Sequence, residues 1–400
     1  MNEEETRFVY LDNAATTIAE KEVIDSMVNM LGKDYGNASS IYSFGQTSRD
    51  HVENARKIIA DSVGAAPSEV IFTSGGTESN NFALKGTAFA NKHIGNHIIT
   101  QKTEHHAILN VCEFLEKNGF TVTYLNVDKE GFVVLDELRK ALSEKTILVS
   151  IMQGNNEIGA IQPVAEISKI IREHEKKIGR KVYFHTDACQ SYTKTPLNAK
   201  DMDIDLITIN AHKIHGPKGV GALIARKGTK LEVNQHGGGQ EAGKRSGTEN
   251  TPGIVGFAKA VEYAQRNSDR DHERMTRLRD YMIENILKEI PAARLNGPLG
   301  ERRLCNNVNI SFEAIEGESV LLRLSERGIM ASTGSACSSN SLEPSHVLTA
   351  IGLKAEVAHS SMRMTLSRHS TKEEIDYAIS ALKEEIGLLR KMSPFWNRKN

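Results

Sequence analysis

Seven short apolar runs, rich in β-branched residues, recur between about residues 70 and 226, and most of them end in Gly, Ser, Asp or His. Stretches with helical spacing separate most of these runs. This alternation is typical of βαβ units and predicts an α/β domain with a mostly parallel sheet. Several runs are almost continuously apolar, as expected of strands covered on both faces. The predicted strands are 70–74, 97–100, 120–127, 146–152, 181–186, 205–209 and 219–225.

Beyond about residue 256 the pattern changes. Long charged helices are predicted over 269–289 and 371–391, around two apolar runs at 307–312 and 362–366. Solvated amphipathic faces explain the charge of both helices without any partner. This part of the chain is therefore predicted to form a smaller α+β domain.

Composition narrows the classes of function. The 400 residues include 50 Lys and Arg against 51 Asp and Glu, so no net field attracts nucleic acid or a membrane surface. The first residues are acidic, and no stretch approaches the ~18 apolar residues of a membrane-spanning helix. We therefore expect a cytoplasmic protein that binds neither nucleic acid nor membrane.

The four cysteines are too few for a disulfide framework and form no CxxC pair for structural zinc. Cys112 and Cys305 lie in apolar surroundings, and packing explains them. Cys189 is expected to line a pocket without reacting. Cys337 stands in a run of small polar residues, which argues for an exposed thiol; a small buried hydrophobic side chain is the alternative.

Ligands of open α/β sheets bind beyond the carboxyl ends of the strands, so the residues that follow each strand are the candidates for chemistry. After the first predicted strand, the sequence SGGTE at 74–78 leads into a helix. Free N–H groups at that helix start predict an anion site, most simply for phosphate. The spacing matches neither the P-loop nor GxGxxG. A glycine-rich turn with a threonine cap is the plain alternative.

Two further strand ends carry charged residues. Asp187 ends a buried strand, where a carboxylate needs a cation or a strong donor. Lys213 follows another strand, after Asn210, and would face the ligand crevice. Pyridoxal 5′-phosphate requires a lysine for the Schiff base, a carboxylate for the ring nitrogen and a helix N-terminus for the phosphate. A rival interpretation gathers His185, Asp187, His212 and His215 as zinc ligands.

Eight motifs, in order along nearly the whole chain, resemble those of the cysteine desulfurases, in the class V aminotransferase superfamily. The form of the last motif is similar to the group that carries its cysteine on a long flexible loop, the nitrogen-fixation and iron–sulfur-cluster type. The motifs are LDNAATT (11–17), TSGGTESNN (73–81), TEHHA (103–107), NNEIG (155–159), HTDACQ (185–190), HKIHGPKG (212–219), RSGTEN (245–250) and STGSACSS (332–339).

The resemblance implies the type I pyridoxal-phosphate fold, with a large seven-stranded domain and a smaller α+β domain built from both chain ends. The expected large, cofactor-binding domain is 15–256. Residues 1–14 and 257–400 are expected to form the small domain, with a mobile loop that carries Cys337. The resemblance also implies a homodimer.

The resemblance assigns roles to the residues around the cofactor. Lys213 would bind it covalently, Asp187 would pair with the ring nitrogen, and His105 would stack on the ring and move protons. Gln190 would contact the phenolic oxygen. The remaining positions would hold phosphate or substrate: Gly76, Thr77 and His212 the phosphate, Thr248 the phosphate of the neighbouring subunit, and Asn156 with Arg363 the substrate carboxylate.

One site position departs from the family. Asn210 stands where a serine that contacts the phosphate is usual. Because asparagine can also donate a hydrogen bond, we expect a modest change in cofactor affinity rather than its loss.

The implied reaction converts L-cysteine to L-alanine and leaves the sulfur as a persulfide on Cys337. No metal is expected in the site. A sulfur-accepting protein, such as an iron–sulfur scaffold, is the expected partner. Two alternatives stay open at this point: another enzyme of the same fold, such as a selenocysteine lyase or an aminotransferase, and a non-catalytic sulfur-relay or scaffold protein.

Overall fold

A computed structural model describes residues 8–333 and 343–396. Cys337 lies outside the described residues. The seven predicted strands are all present and form one sheet, in the order β2-β8-β7-β6-β5-β3-β4. Only β8 runs antiparallel to its neighbours, so the prediction of a mostly parallel sheet is confirmed. The strands are β2 (Val70–Thr73), β3 (His97–Gln101), β4 (Thr121–Leu125), β5 (Thr146–Ser150), β6 (Tyr183–Asp187), β7 (Leu206–Asn210) and β8 (Gly221–Ala225).

Helices cover both faces of this sheet, which explains the continuous apolar runs. Neighbouring residues of one strand lie in different apolar clusters: Val70 and Phe72 pack in one, and Ile71 packs in the other. A π-helical turn over Phe82–Gly86 joins α3 to α4. The helices of this part are α1 (Lys21–Gly32), α2 (Ser43–Ser62), α3 (Gly76–Asn81), α4 (Thr87–Asn91), α5 (His106–Lys117), α6 (Leu135–Ala141), α7 (Val164–Ile178) and α8 (Thr251–Arg266).

A second core forms around a three-stranded antiparallel sheet in the order β12-β10-β9. The first described strand, β1 (Val9–Tyr10), pairs in parallel with β11 (Ile329–Met330), and Val9 and Leu11 are buried in this second core. The other elements here are β9 (Ala293–Leu295), β10 (Asn307–Phe312), β12 (Ser361–Thr365), α9 (Ser268–Glu289), α10 (Gly317–Glu326), α11 (His346–Ala350), α12 (Ala355–His359) and α13 (Lys372–Met392).

The division into domains at residue 256 stays a prediction. That position lies inside α8, and Phe257 and Val261 pack in the same core as the seven-stranded sheet. No helix within residues 8–333 and 343–396 is both long and apolar enough to cross a membrane.

Candidate active site

Asp187 and Lys213 lie at the same edge of the seven-stranded sheet. Asp187 is the last residue of β6, and Lys213 follows the neighbouring parallel strand β7 by three residues. The Asp187 side chain accepts hydrogen bonds from Asn80 Nδ2 at 2.6 Å and from the backbone N–H of Cys189 at 2.9 Å. These donors stabilise a carboxylate that is buried at 6% exposure.

The N-terminal segment holds two of the predicted site residues together. Lys213 Nζ donates to the carbonyl oxygen of Ala14 and, at 2.9 Å, to that of Ala15. Gln190 Nε2 donates to the same Ala14 oxygen at 2.9 Å. The LDNAATT motif therefore shapes the site through its backbone carbonyls, which side-chain patterns do not reveal.

His105 lies among the charged members of the site. Its Nδ1 accepts the backbone N–H of Ala107 at 3.0 Å, so the proton of the neutral ring is on Nε2. Burial lowers the pKa of His105; the Asp187 charge opposes this shift, and the Lys213 and Arg363 charges reinforce it. His105 therefore lies within reach of the charges of Asp187, Lys213 and Arg363. Its lowered pKa leaves the ring neutral near pH 7.

The predicted phosphate site begins at α3. Gly76 and Thr77 are its first two residues, and their N–H groups lack acceptors within the helix. A Cβ added at Gly76 would lie 2.6 Å from Cys189 Sγ and 3.4 Å from Asn210 Nδ2, so only glycine fits. The Asn210 side-chain oxygen is buried and has no partner among the described residues. The open start of α3 offers N–H donors that suit a phosphate group, whereas the Asn210 oxygen can only accept a hydrogen bond.

His212 and Thr248 were the other predicted phosphate contacts. His212 Nδ1 lies 3.3 Å from Thr16 Oγ1. Burial and the nearby lysines, Lys213 first, lower the pKa of His212 to about 4, so the ring is neutral at pH 7. Thr248 is exposed, in the segment between β8 and α8. Its contact with a neighbouring subunit stays a prediction.

Arg363 lies on β12 and is 4% exposed. Its Nη2 pairs with Asp12 at 2.9 Å, and its Nη1 donates to the backbone oxygen of Asn156 at 3.2 Å. The Nε group of Arg363 is buried without a partner in the described part of the chain. The structure therefore brings Asn156 and Arg363 together, and it leaves a guanidinium donor for an anionic ligand.

Four residues that were not predicted as members of the site connect α11 to it. Ser345 Oγ donates to Glu157 Oε2 at 2.5 Å, and the ring of His346 contacts the backbone oxygen of Glu104 at 2.8 Å. Glu157 follows Asn156, and Glu104 precedes His105. Both acids stand inside predicted motifs, so their positions were visible in the sequence, but their burial was not.

The three described cysteines agree with their predicted structural roles. Cys112 and Cys305 are buried. Burial raises the pKa of Cys305 to about 11 and raises that of Cys189 as well, which disfavours a reactive thiolate. Cys337, which the motif resemblance implies as the nucleophile, lies outside the described residues.

The rival zinc site does not assemble. His185 lies between Ser150 and Thr208, and His215 Nδ1 donates to the backbone oxygen of Ile18 at 2.8 Å. The possible ligand group within the described ranges is a different one: Glu20, His215 and His369. The Arg368 guanidinium stands 3.7 Å from the Glu20 carboxylate, so an ion-pair network accounts for this cluster.

Comparisons with known proteins agree with this geometry. The family model described as aminotransferase class-V matches residues 9–378. A cysteine desulfurase IscS of Dictyoglomus turgidum is 54% identical over 389 residues, which cover 97% of this chain and 97% of that protein.

Two solved structures extend the likeness to three dimensions. A NifS-like protein is 38% identical with a TM-score of 0.89, over 96% of this chain and 100% of that one. A structure of SspA in complex with cysteine is 38% identical with a TM-score of 0.80, over 91% and 100% of the two chains. The predicted fold and the motif resemblance are thereby confirmed. The chain belongs to the class-V aminotransferase family and, within it, to the cysteine desulfurases.

Proposed function

We propose that this protein converts L-cysteine to L-alanine with pyridoxal 5′-phosphate and passes the sulfur to Cys337 as a persulfide. The observation that carries the proposal is the convergence of Lys213, Asp187 and His105 at one sheet edge, with Arg363 beside them. The relatives named cysteine desulfurase and the cysteine complex of SspA support cysteine as the substrate.

The site residues suit the cofactor. We infer that Lys213 binds its aldehyde carbon, that Asp187 keeps a proton on its ring nitrogen, and that the start of α3 receives its phosphate. The paired donors on Asp187 and the tight glycine at position 76 support this arrangement. When bound, the cofactor withdraws electrons from the substrate α-carbon and so weakens the bonds around it.

The chain's own groups perform the remaining tasks. Arg363, with Asn156, orients the substrate carboxylate through its planar fork of donors. Lys213 moves the α-proton, and neutral His105 exchanges a proton at Nε2. Cys337 Sγ attacks the substrate sulfur, the Cβ–S bond breaks, and the electron pair of that bond takes a proton to complete the methyl group of alanine. Two thiols become one persulfide and one methyl group, so no external oxidant is needed.

A homodimer is part of the proposal. Ile24, Val28 and Leu31 follow one face of α1 and are 47%, 60% and 65% exposed, and Tyr35 and Ile41, beyond the end of α1, are exposed as well. A second copy of the chain would cover this apolar face. Thr248 is also exposed, so it is accessible to a second copy. We further propose that the protein works in the cytoplasm and that a sulfur-accepting protein, such as an iron–sulfur scaffold, removes the persulfide sulfur.

The test is to add L-cysteine to the purified protein with its cofactor and to measure both alanine and cyanide-reactive sulfur bound to the polypeptide. We expect equal first-turnover amounts of the two products. Cys337→Ser should keep the cofactor absorbance and lose the bound sulfur, whereas Lys213→Ala should lose the covalent link that borohydride traps. Normal sulfur release by Cys337→Ser, or trapping on a different lysine, would contradict the proposal.

A further inference from the structure

Lys194 lies behind the site, in the segment between β6 and β7. Its Nζ donates to the backbone oxygens of Gln190 at 3.0 Å and of Lys213 at 3.3 Å. The side chains of those same two residues both donate to the Ala14 oxygen. The four residues therefore form a closed ring of hydrogen bonds, in which Lys194 supplies the contacts on the backbone side.

The surroundings make this ammonium unusual. Burial, reinforced by the charges of Lys213 and Arg368, lowers the pKa of Lys194 to about 8. An ammonium has three donors, and the two carbonyls accept two of them. Lys194 also lines a cavity of about 30 Å³, which has room for about one water molecule. Other titratable groups around Lys194 are Cys189, Cys305, Asp271, His272 and His215.

We propose that Lys194 is a positioning residue that orients Lys213 and Gln190 through their backbone oxygens, and that its positive charge disfavours a proton on the Lys213 nitrogen. The inference rests on the proposed function, in which Lys213 binds the cofactor. An amine must be unprotonated to bond to a carbonyl carbon, and a neighbouring cation favours that state. Lys194 thus acts on the reaction without touching cofactor or substrate.

The experiment compares three variants of the full-length protein. Lys194→Met removes the charge and the donors, Lys194→Arg keeps both, and Lys200→Met is a control on an exposed lysine of the same segment. The measurements are the absorbance of bound pyridoxal 5′-phosphate as a function of pH, the dissociation constant of that cofactor, and the thermal unfolding midpoint of the cofactor-free protein.

For Lys194→Met we expect the pH midpoint of the absorbance to rise by about one unit, as when one nearby like charge is removed. We expect its cofactor affinity to fall about tenfold, because two contacts that orient the site are lost. Its unfolding midpoint at pH 7 should not fall, since a buried ammonium costs free energy there. Lys194→Arg and Lys200→Met should keep the parent's absorbance midpoint.

An unchanged absorbance midpoint and affinity in Lys194→Met would overturn the inference. So would a lower unfolding midpoint with an unchanged absorbance midpoint, because that result describes a purely structural lysine. An arginine variant that shifts as far as the methionine variant would also overturn it. A parent protein that binds no pyridoxal 5′-phosphate would overturn the proposed function and this role together, whereas a parent that binds it and variants that match the parent refute only the role of Lys194.

Discussion

Glu157 carries a buried carboxyl group that titrates near neutral pH. Burial raises the pKa of Glu157 from 4.5 to about 7, although the Ser345 hydroxyl and the Arg363 charge act in the opposite direction. The folded protein therefore holds this proton more tightly than the unfolded chain does. Its contribution to stability is present below pH 4.5 and is lost as the pH rises to about 7, at a cost of about 3 kcal/mol.

Glu157→Gln should remove this dependence, because the amide stays neutral at every pH. We expect the unfolding midpoint of the cofactor-free variant, relative to the parent, to be higher at pH 8 than at pH 5. Thermal unfolding at the two pH values measures the difference. Glu166→Gln, on the exposed face of α7, is the control and should show no such change. An equal difference for Glu157→Gln at both pH values would contradict the raised pKa.

For single residues, the sequence predicts which side chains lie together when they follow neighbouring strands. It does not predict pairs formed between distant parts of the chain. Asp187 and Lys213 could be placed together because neighbouring parallel strands end at one edge. Asp12 and Arg363 could not, since 351 residues separate them and no periodicity connects them. Asn80, which donates to Asp187, stands inside a predicted motif, but only the fold shows which side chain it meets.

The turn between β6 and β7 contains backbone strain. Thr193 has φ of 63°, in the left-handed region that a β-branched residue rarely adopts. Glycine removes the steric cost but adds entropy to the unfolded chain. Thr193→Gly should therefore stabilise the protein by about 0.5–1 kcal/mol.

Chemical unfolding of the cofactor-free protein tests this expectation. The matched control is Thr195→Gly, two residues along the same turn and outside the left-handed region. The control should be less stable than the parent, because it gains backbone freedom without relief of strain. A Thr193→Gly variant that loses as much stability as the control would show that the turn carries no such strain.

Elements with strong patterns were predictable, and short ones were not. The seven strands of the large sheet were visible because burial on both faces leaves almost no polar position in them. The pair of β1 and β11 was not predicted, because two residues per strand are too few to define a period. The π-helical turn within the helix that starts at Gly76 was also missed, since its residues have ordinary helical preferences.

The apolar face of α1, formed by Ile24, Val28 and Leu31, is exposed, and we propose that a second copy of the chain covers it. The double substitution Val28→Glu and Leu31→Glu places two negative charges on this face and should therefore convert a dimer into a monomer. Light scattering on a sizing column measures the mass directly. Leu322→Glu, on α10, is the control because Leu322 is 70% exposed and lies in the second core's region. A monomeric parent, or a double variant that stays dimeric, would rule out this interface.

The joining of the two chain ends has a consequence for biosynthesis. Residues 12–15 are synthesised long before residue 363, yet Asp12 pairs with Arg363 in the folded protein. The carbonyl oxygen of Ala14 likewise accepts a hydrogen bond from Lys213, which is added about 200 residues later. The nascent polypeptide can complete the large sheet long before residue 363 is translated. Competence to bind substrate must then arise only after residue 363 has been added, so truncated products released before that codon should be catalytically silent even when their sheet has formed.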